Sequence, residues 1–515
     1  MKKQIKIISL TLCILFGTLS CESILTETPE DRTTTDTFFQ SIENLDHSVT
    51  ATYRQLVENA WNRSLGSAKA RTVFTGADDF TTLDGGNKYD WKVSDQLNIS
   101  ASDIRVSDAG WSMPYTVILQ SNFAIQGIGQ LISRGEPEDA VNALGAEAYF
   151  LRAWAYFRLV RLYGGVPLVL SPEYNQANVN LSRSSVGEVY EQILVDLDFA
   201  LKHLPQTQPE RGRITYWAAK AMKAEIHLTM AGWPLKRTEN FALALQEAQD
   251  VIQGSPHIFE DDYSQIFDTN RRDTNTEYIW QIKFCNVVNC PGSALNTPFA
   301  SQATKPTELG GFKDMFIEIA FYNKYPEGAR KEFNFLKELV KEDGGTIPWT
   351  SFAEKHPFFS KYYSGTIDKY APYESQKGST APVSDLDLPM YRITEMMLIY
   401  AEANANGGGG DASIALNYLN QVRRRGKGVD INQNDTDDLV TFTAQDVIDE
   451  RGWELIGEMR RWFDLIRTET LANALSDRDP SEPSLIGDPN NKNLYWHPLP
   501  QLDLELNPKL EQNPR

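Results

Sequence analysis

AEAYFLRAWAYFRLVRL, residues 146–162, decides the fold class. Ala148, Leu151, Ala155, Leu159 and Leu162 recur at helical spacing and make one apolar stripe. Gly164, Gly165 and Pro167 then stop the helix. The pattern repeats further along the chain. Residues 216–231 align Trp217, Ala221, Ala224 and Leu228, and residues 240–253 align Ala244, Ala248 and Val251 before Gly254. Residues 391–404 and 412–424 read as a helical pair joined by glycines 407–410, with Asp411 placed to cap the second helix. Alanine on the inner faces lets neighbouring helices approach closely, as in stacked hairpins. The expected class is therefore mainly α, with tetratricopeptide-like helical hairpins forming a scaffold, although the strict repeat signature is absent.

Two stretches break the helical pattern. Residues 71–110 are rich in Asp, Gly, Ser and Asn, and residues 285–387 carry Gly, Pro and many aromatics with little periodicity. Loops of this length are uncommon in a compact body unless they bind something.

Composition narrows the function. The net charge of −19, with no long basic run, excludes a cationic footprint for nucleic acid. The N-terminus has Lys2, Lys3 and Lys6, an apolar run over 7–19, and then Ser20-Cys21. That run is too short to span a bilayer and reads as a secretory signal. A small residue before cysteine is where bacterial lipoproteins are cleaved and acylated, so Cys21 is expected to carry lipid. Thr18 stands where Leu is usual. Of the other cysteines, Cys13 leaves with the signal. Cys285 and Cys290 form either a small disulfide loop or two free thiols.

Familiar catalytic patterns are missing. There is no HExxH, no G-x-S-x-G elbow and no Walker loop, and His47, His203, His227, His257, His356 and His497 are scattered. Glu450, Glu454 and Glu458 lie four apart and share a helical face, with Arg461 a turn beyond. Acid–base chemistry is one reading of them. An ion-paired structural helix packed through Trp453, Leu455, Trp462 and Phe463 is the favoured one. A glycosidase's paired carboxylates stay open on sequence alone, because Asp and Glu are abundant throughout.

Several segments carry a family resemblance. ERGWELIGEMRRWFDLIR (450–467) and LYWHPLPQLDLELNPKLEQNP (494–514) are the most specific. MYRITEMMLIYAEANA (390–405), LRAWAYFRLVRLYGGVPLV (151–169) and TFFQSIENLDHSVTATYRQL (37–56) precede them. Each resembles a signature of the SusD/RagB family of Bacteroidetes outer-membrane lipoproteins, in that family's order. Gly452, where the family commonly has Arg, and His497, within the apolar run before Pro498-Leu499-Pro500, depart from the pattern.

The resemblance implies a SusD-like fold in one compact body: a lipoprotein signal over 1–20, a stalk over 21–37, an N-terminal region over 38–265 and a C-terminal region over 266–515. It also implies an outer-membrane, surface-facing lipoprotein that binds a glycan and delivers it to a TonB-dependent transporter barrel of the SusC/RagA kind. Glu22, Glu27, Glu30 and Asp31 in the stalk are compatible with export to the surface. A RagB-like peptide binder, a surface glycoside hydrolase and an assembly scaffold are the rival readings. No cofactor is expected, with structural calcium left open.

A sugar binder needs flat aromatic platforms flanked by hydrogen-bonding side chains. The first irregular stretch offers Arg71, Asp78, Asp79, Asn87, Tyr89 and Trp91, and the second offers Trp349, Tyr362, Tyr363 and Tyr370. Trp91 divides evenly between binding and packing. Trp111, Trp154, Trp217 and Trp462 sit in helical patterns and read as core.

Overall fold

The computed structural model describes residues 35–57, 65, 76–83, 89–103, 106–173, 180–284, 306–309, 315–364, 367–376 and 386–515. Ten helices make its frame. They are α1 (Ile42–Val57), α2 (Met113–Ser133), α3 (Glu138–Tyr163), α4 (Val186–His203), α5 (Tyr216–Ala231), α6 (Asn240–Gly254), α7 (Ile393–Ala405), α8 (Ala412–Lys427), α9 (Ala444–Glu454) and α10 (Arg461–Arg467). From α1 to α6 each helix packs on the next, α7 packs on α5 and α6, and α8 packs on α7. No helix among the described residues is long and apolar enough to cross a membrane.

Local chemistry sets the helix ends. Glu138 and Asp139 favour the positive N-terminal pole of α3. At its far end Gly164 takes φ +73°, with the Trp496 ring 2.8 Å from where a Cβ would stand. Ser185 and Glu188 cap α4 reciprocally, as Thr443 and Asp446 cap α9. Asp411 caps α8 by accepting from the Ser413 N–H, as its position in the sequence predicts. Inside the frame, Ala148, Ala155, Ala218, Ala221, Ala224, Ala244 and Ala248 are all fully buried. Small side chains allow this close stacking.

The charged segment 450–467 is not one helix. After Glu454 the chain turns through Gly457 (φ +76°) and Met459 (φ +62°) before α10 begins. A Cβ at Gly457 would lie 2.5 Å from the Phe359 ring, so both the backbone angle and the packing favour glycine.

The second irregular stretch is more ordered than its sequence suggests. Among the described residues eight short strands pair antiparallel, five of them within this stretch: β1 (Phe80–Thr81) with β3 (Phe316–Ile317), β2 (Tyr278–Ile282) with β8 (Leu388–Arg392), β4 (Phe335–Leu336) with β7 (Phe358–Phe359), and β5 (Glu338–Val340) with β6 (Thr346–Pro348). An aromatic core of Phe80, Tyr263, Phe267, Tyr325, Phe335, Phe359 and Tyr362 packs β1, β4 and β7 together, and a second cluster with Leu339, Phe352, Phe358 and Tyr363 takes in β5. Trp280 on β2 sets its ring edge-on to Phe150 of α3 and so ties this layer to the helical frame.

Candidate functional site

The seam between frame and aromatic layer is ionic. Glu454, fully buried, accepts from Arg330 (2.7 Å), Arg392 (3.0 Å) and Arg425 (2.8 Å). Glu450 accepts from Arg330, Glu458 from Lys361 and Arg392, and Glu277 from Arg425. Burial alone would raise the Glu454 carboxyl, but Arg425, Arg392 and Arg330 outweigh it and hold it down at about 2. Glu450, Glu454 and Glu458 are thus all committed to cations, which matches the structural reading of this segment.

The same chemistry fixes the first irregular stretch. Arg461 clamps Asp78 with two bonds of 2.6 and 2.7 Å. Asp79 is buried beside it. Desolvation and then the Asp78 charge push its carboxyl up to about 7, against the pull of Arg461. A short helix, Tyr89–Asp95, follows where the sequence suggests loop, and Val93 and Asp95 on it are buried. Asp95 takes a salt bridge from Arg478 (2.7 Å) and a bond from the Thr81 hydroxyl (3.0 Å).

Of the residues singled out for ligand contact, Asp78 and Asp79 therefore face protein partners. Arg71, Asn87, Cys21, Cys285 and Cys290 lie outside the described residues, as do the side chains of Tyr89 and Trp91. Tyr362 and Tyr363 are buried in the two aromatic clusters of the second layer, so they pack rather than present a platform. They follow β7 in a turn, where no strand or helix period marks a buried face. Trp349 is half-buried, with its ring 5.9 Å from that of Tyr322, and Tyr370 is 68% exposed beside Lys369. The structure does not bring these residues into one cluster with Asp78 and Asp79.

A different group does converge. A cavity of about 470 Å³ opens where α1 ends and β2 runs out. Leu56, Val57, Ile282 and Phe284 give it apolar walls, with Tyr53 and Trp280 alongside. Its size and mostly apolar lining suit a small ligand or part of a chain-like one. The polar groups on its wall are Arg54, Glu210, Arg211, Arg213, Arg272 and Lys283, with Thr50 and Gln281. Sequence reading passed over them. The available signal was the pairing of Arg211 with Arg213 and of Arg271 with Arg272 in an acidic chain. Among the described residues, no cluster of three or more His, Cys, Asp or Glu could hold a metal ion.

The family model described as "SusD family" matches residues 337–515, and the one described as "Starch-binding associating with outer membrane" matches residues 25–228. A SusD-like protein of Formosa agariphila is 28% identical over 528 residues, covering 98% of each chain. A SusD homologue of Bacteroides thetaiotaomicron superposes with a TM-score of 0.78 at 21% identity, covering 94% of this chain and 99% of the other. Surface glycan-binding protein A of the same organism, solved in complex with laminarihexaose, superposes at 0.70 with 18% identity, over 92% and 99% of the two chains. The two family matches take in most of the helical frame and part of the aromatic layer, the relatives extend through the segment between them, and the frame, strands and ion-paired seam form one body: the chain belongs to the SusD family.

Proposed function

We propose that the protein binds an oligosaccharide or polysaccharide at the outer membrane, without turning it over, and passes it to a TonB-dependent transporter barrel. The observation that carries this reading is the match of residues 25–228 to a model described as starch-binding and outer-membrane-associated. Surface glycan-binding protein A, which shares the fold, supports it by holding laminarihexaose. The cavity at the end of α1 adds a concave, largely apolar surface with polar groups at its edge, suited to the C–H face and hydroxyl rim of a sugar ring. Acylated Cys21 is the proposed anchor, with the protein facing the cell exterior. Arg71, Asn87, Tyr89, Trp91 and Trp349 are kept as proposed contacts around the irregular stretches. No cofactor enters the proposal.

Affinity electrophoresis and calorimetry of the chain lacking residues 1–21, against a panel of polysaccharides and peptides, test the reading. Retardation by at least one glycan, with no new reducing ends, is the expected result. Peptide binding alone would move the assignment to a peptide carrier, and released reducing ends would make it a hydrolase.

A further inference from the structure

The wall chemistry of the 470 Å³ cavity points to the kind of sugar it takes. Neutral sugar hydroxyls both donate and accept, so sites for them mix amides and carboxylates with donors. Here, among the described lining residues, five cations (Arg54, Arg211, Arg213, Arg272 and Lys283) face one carboxylate, Glu210. Trp280 adds an indole N–H that is buried and has no hydrogen-bond partner. The Tyr53 hydroxyl is already engaged, donating to Glu147 and accepting from the Ile214 N–H (2.8 Å). The wall is rich in donors and poor in acceptors.

Not all of the positive charge is uncommitted. Arg213 is paired with Asp46 and Glu147, Lys283 with Asp273 (2.6 Å), and Arg272 lies 3.6 Å from Asp387. Arg211 differs. Its guanidinium donates to the backbone carbonyls of Asp273 (2.7 Å) and Asn275, which hold it in place, and the Asp273 carboxylate, hydrogen-bonded to Lys283, feels its charge from nearby. A fixed, planar guanidinium beside apolar walls is suited to an oxyanion, which accepts two parallel N–H bonds.

We propose that this cavity binds an acidic sugar unit, one bearing a carboxylate or a sulfate ester, with Arg211 as its principal partner and Lys283 and Arg54 at the rim. The proposal rests on the glycan-binding reading and narrows its substrate class. It does not require the chain as a whole to be basic; the charge is local, in a protein of net charge −19.

The test is calorimetry of the chain lacking residues 1–21 with polygalacturonate (carboxylate), dextran sulfate (sulfate) and laminarin (neutral). At least one polyanion should bind more tightly than laminarin, and which of the two does so identifies the oxyanion. Arg211→Gln should weaken that binding about tenfold. Lys283→Gln, on the rim, should weaken it about threefold, which keeps the test open if the first variant folds poorly. Raising NaCl from about 0.05 to about 0.5 M should also weaken it. Laminarin binding at least as tight as that of both polyanions would overturn the inference and leave the glycan reading standing. So would polyanion binding indifferent to both substitutions. Failure to bind any polysaccharide at all would overturn both.

Discussion

The helical frame and the aromatic layer solve the same problem with opposite materials. In the frame, fully buried alanines on α3, α5 and α6 let whole helices stack, and between its ends each helix closes its own backbone hydrogen bonds. In the layer, strands of two to five residues cannot satisfy themselves, so large rings fill the space between them and ion pairs fasten the edges. The frame is built on repetition. The layer depends on particular side chains meeting across long sequence separations, such as Arg461 with Asp78 and Arg330 with Glu454. Binding surfaces can vary in such a layer while the frame stays constant.

The seam between them is where the contrast breaks most sharply. Glu454→Ala leaves Arg330, Arg392 and Arg425 buried around an absent carboxylate and should cost about 3–5 kcal/mol, measured by urea denaturation. A loss below about 1 kcal/mol would mean the seam is not a structural joint.

Acidity should pull the two sides apart. The folded Glu454 carboxyl, at about 2, binds a proton less readily than the unfolded one, so its contribution is present above about pH 4 and is lost as pH falls towards 2. Asp79 runs the other way. Its folded carboxyl, at about 7, keeps a proton the unfolded chain has released, so its contribution is present below about pH 4 and is lost as pH rises through 7. The two are worth roughly 3 kcal/mol for Glu454 and roughly 4 kcal/mol for Asp79 at their limits. Urea denaturation across this range should show stability falling at both ends, and Asp79→Asn should remove the upper fall alone. An unchanged upper limb would place Asp79 in water rather than in the core.

Ala248→Leu sharpens the comparison from the frame's side. Its site is fully buried on α6, and the added carbons should cost about 1–3 kcal/mol by overpacking, read as a lower midpoint in urea. Full tolerance would show that alanine is not setting the helix spacing.

The smallest effect concerns the strap formed by the chain's last residues. His497 lies buried between the rings of Tyr163 and Trp462, and neither ring nitrogen has a hydrogen-bond partner. Burial, with Arg515 nearby, drives its pKa down to about 3, so the ring is neutral and still carries an unsatisfied N–H. His497→Leu should therefore stabilise the protein by about 1 kcal/mol, visible as a higher melting temperature. A lower one would show that an ordered water satisfies the ring.

The amino-acid sequence by itself determined the mainly helical frame, its stops and its caps. Apolar spacing, Gly164, Gly254 and Asp411 act within a few residues of one another, and a helix closes its hydrogen bonds over four. The family was also legible, in the segments around Arg461 and Trp462. The break between α9 and α10 was not, because it depends on Phe359 packing against Gly457 nearly a hundred residues away. Nor was the burial of Tyr362, Tyr363 and Asp79, which aromatic rings and an arginine distant in sequence impose. The cavity is the clearest case: Val57, Arg211 and Phe284 line one wall only after the chain has folded. Such a site is a relation among distant residues, and tertiary packing alone creates it.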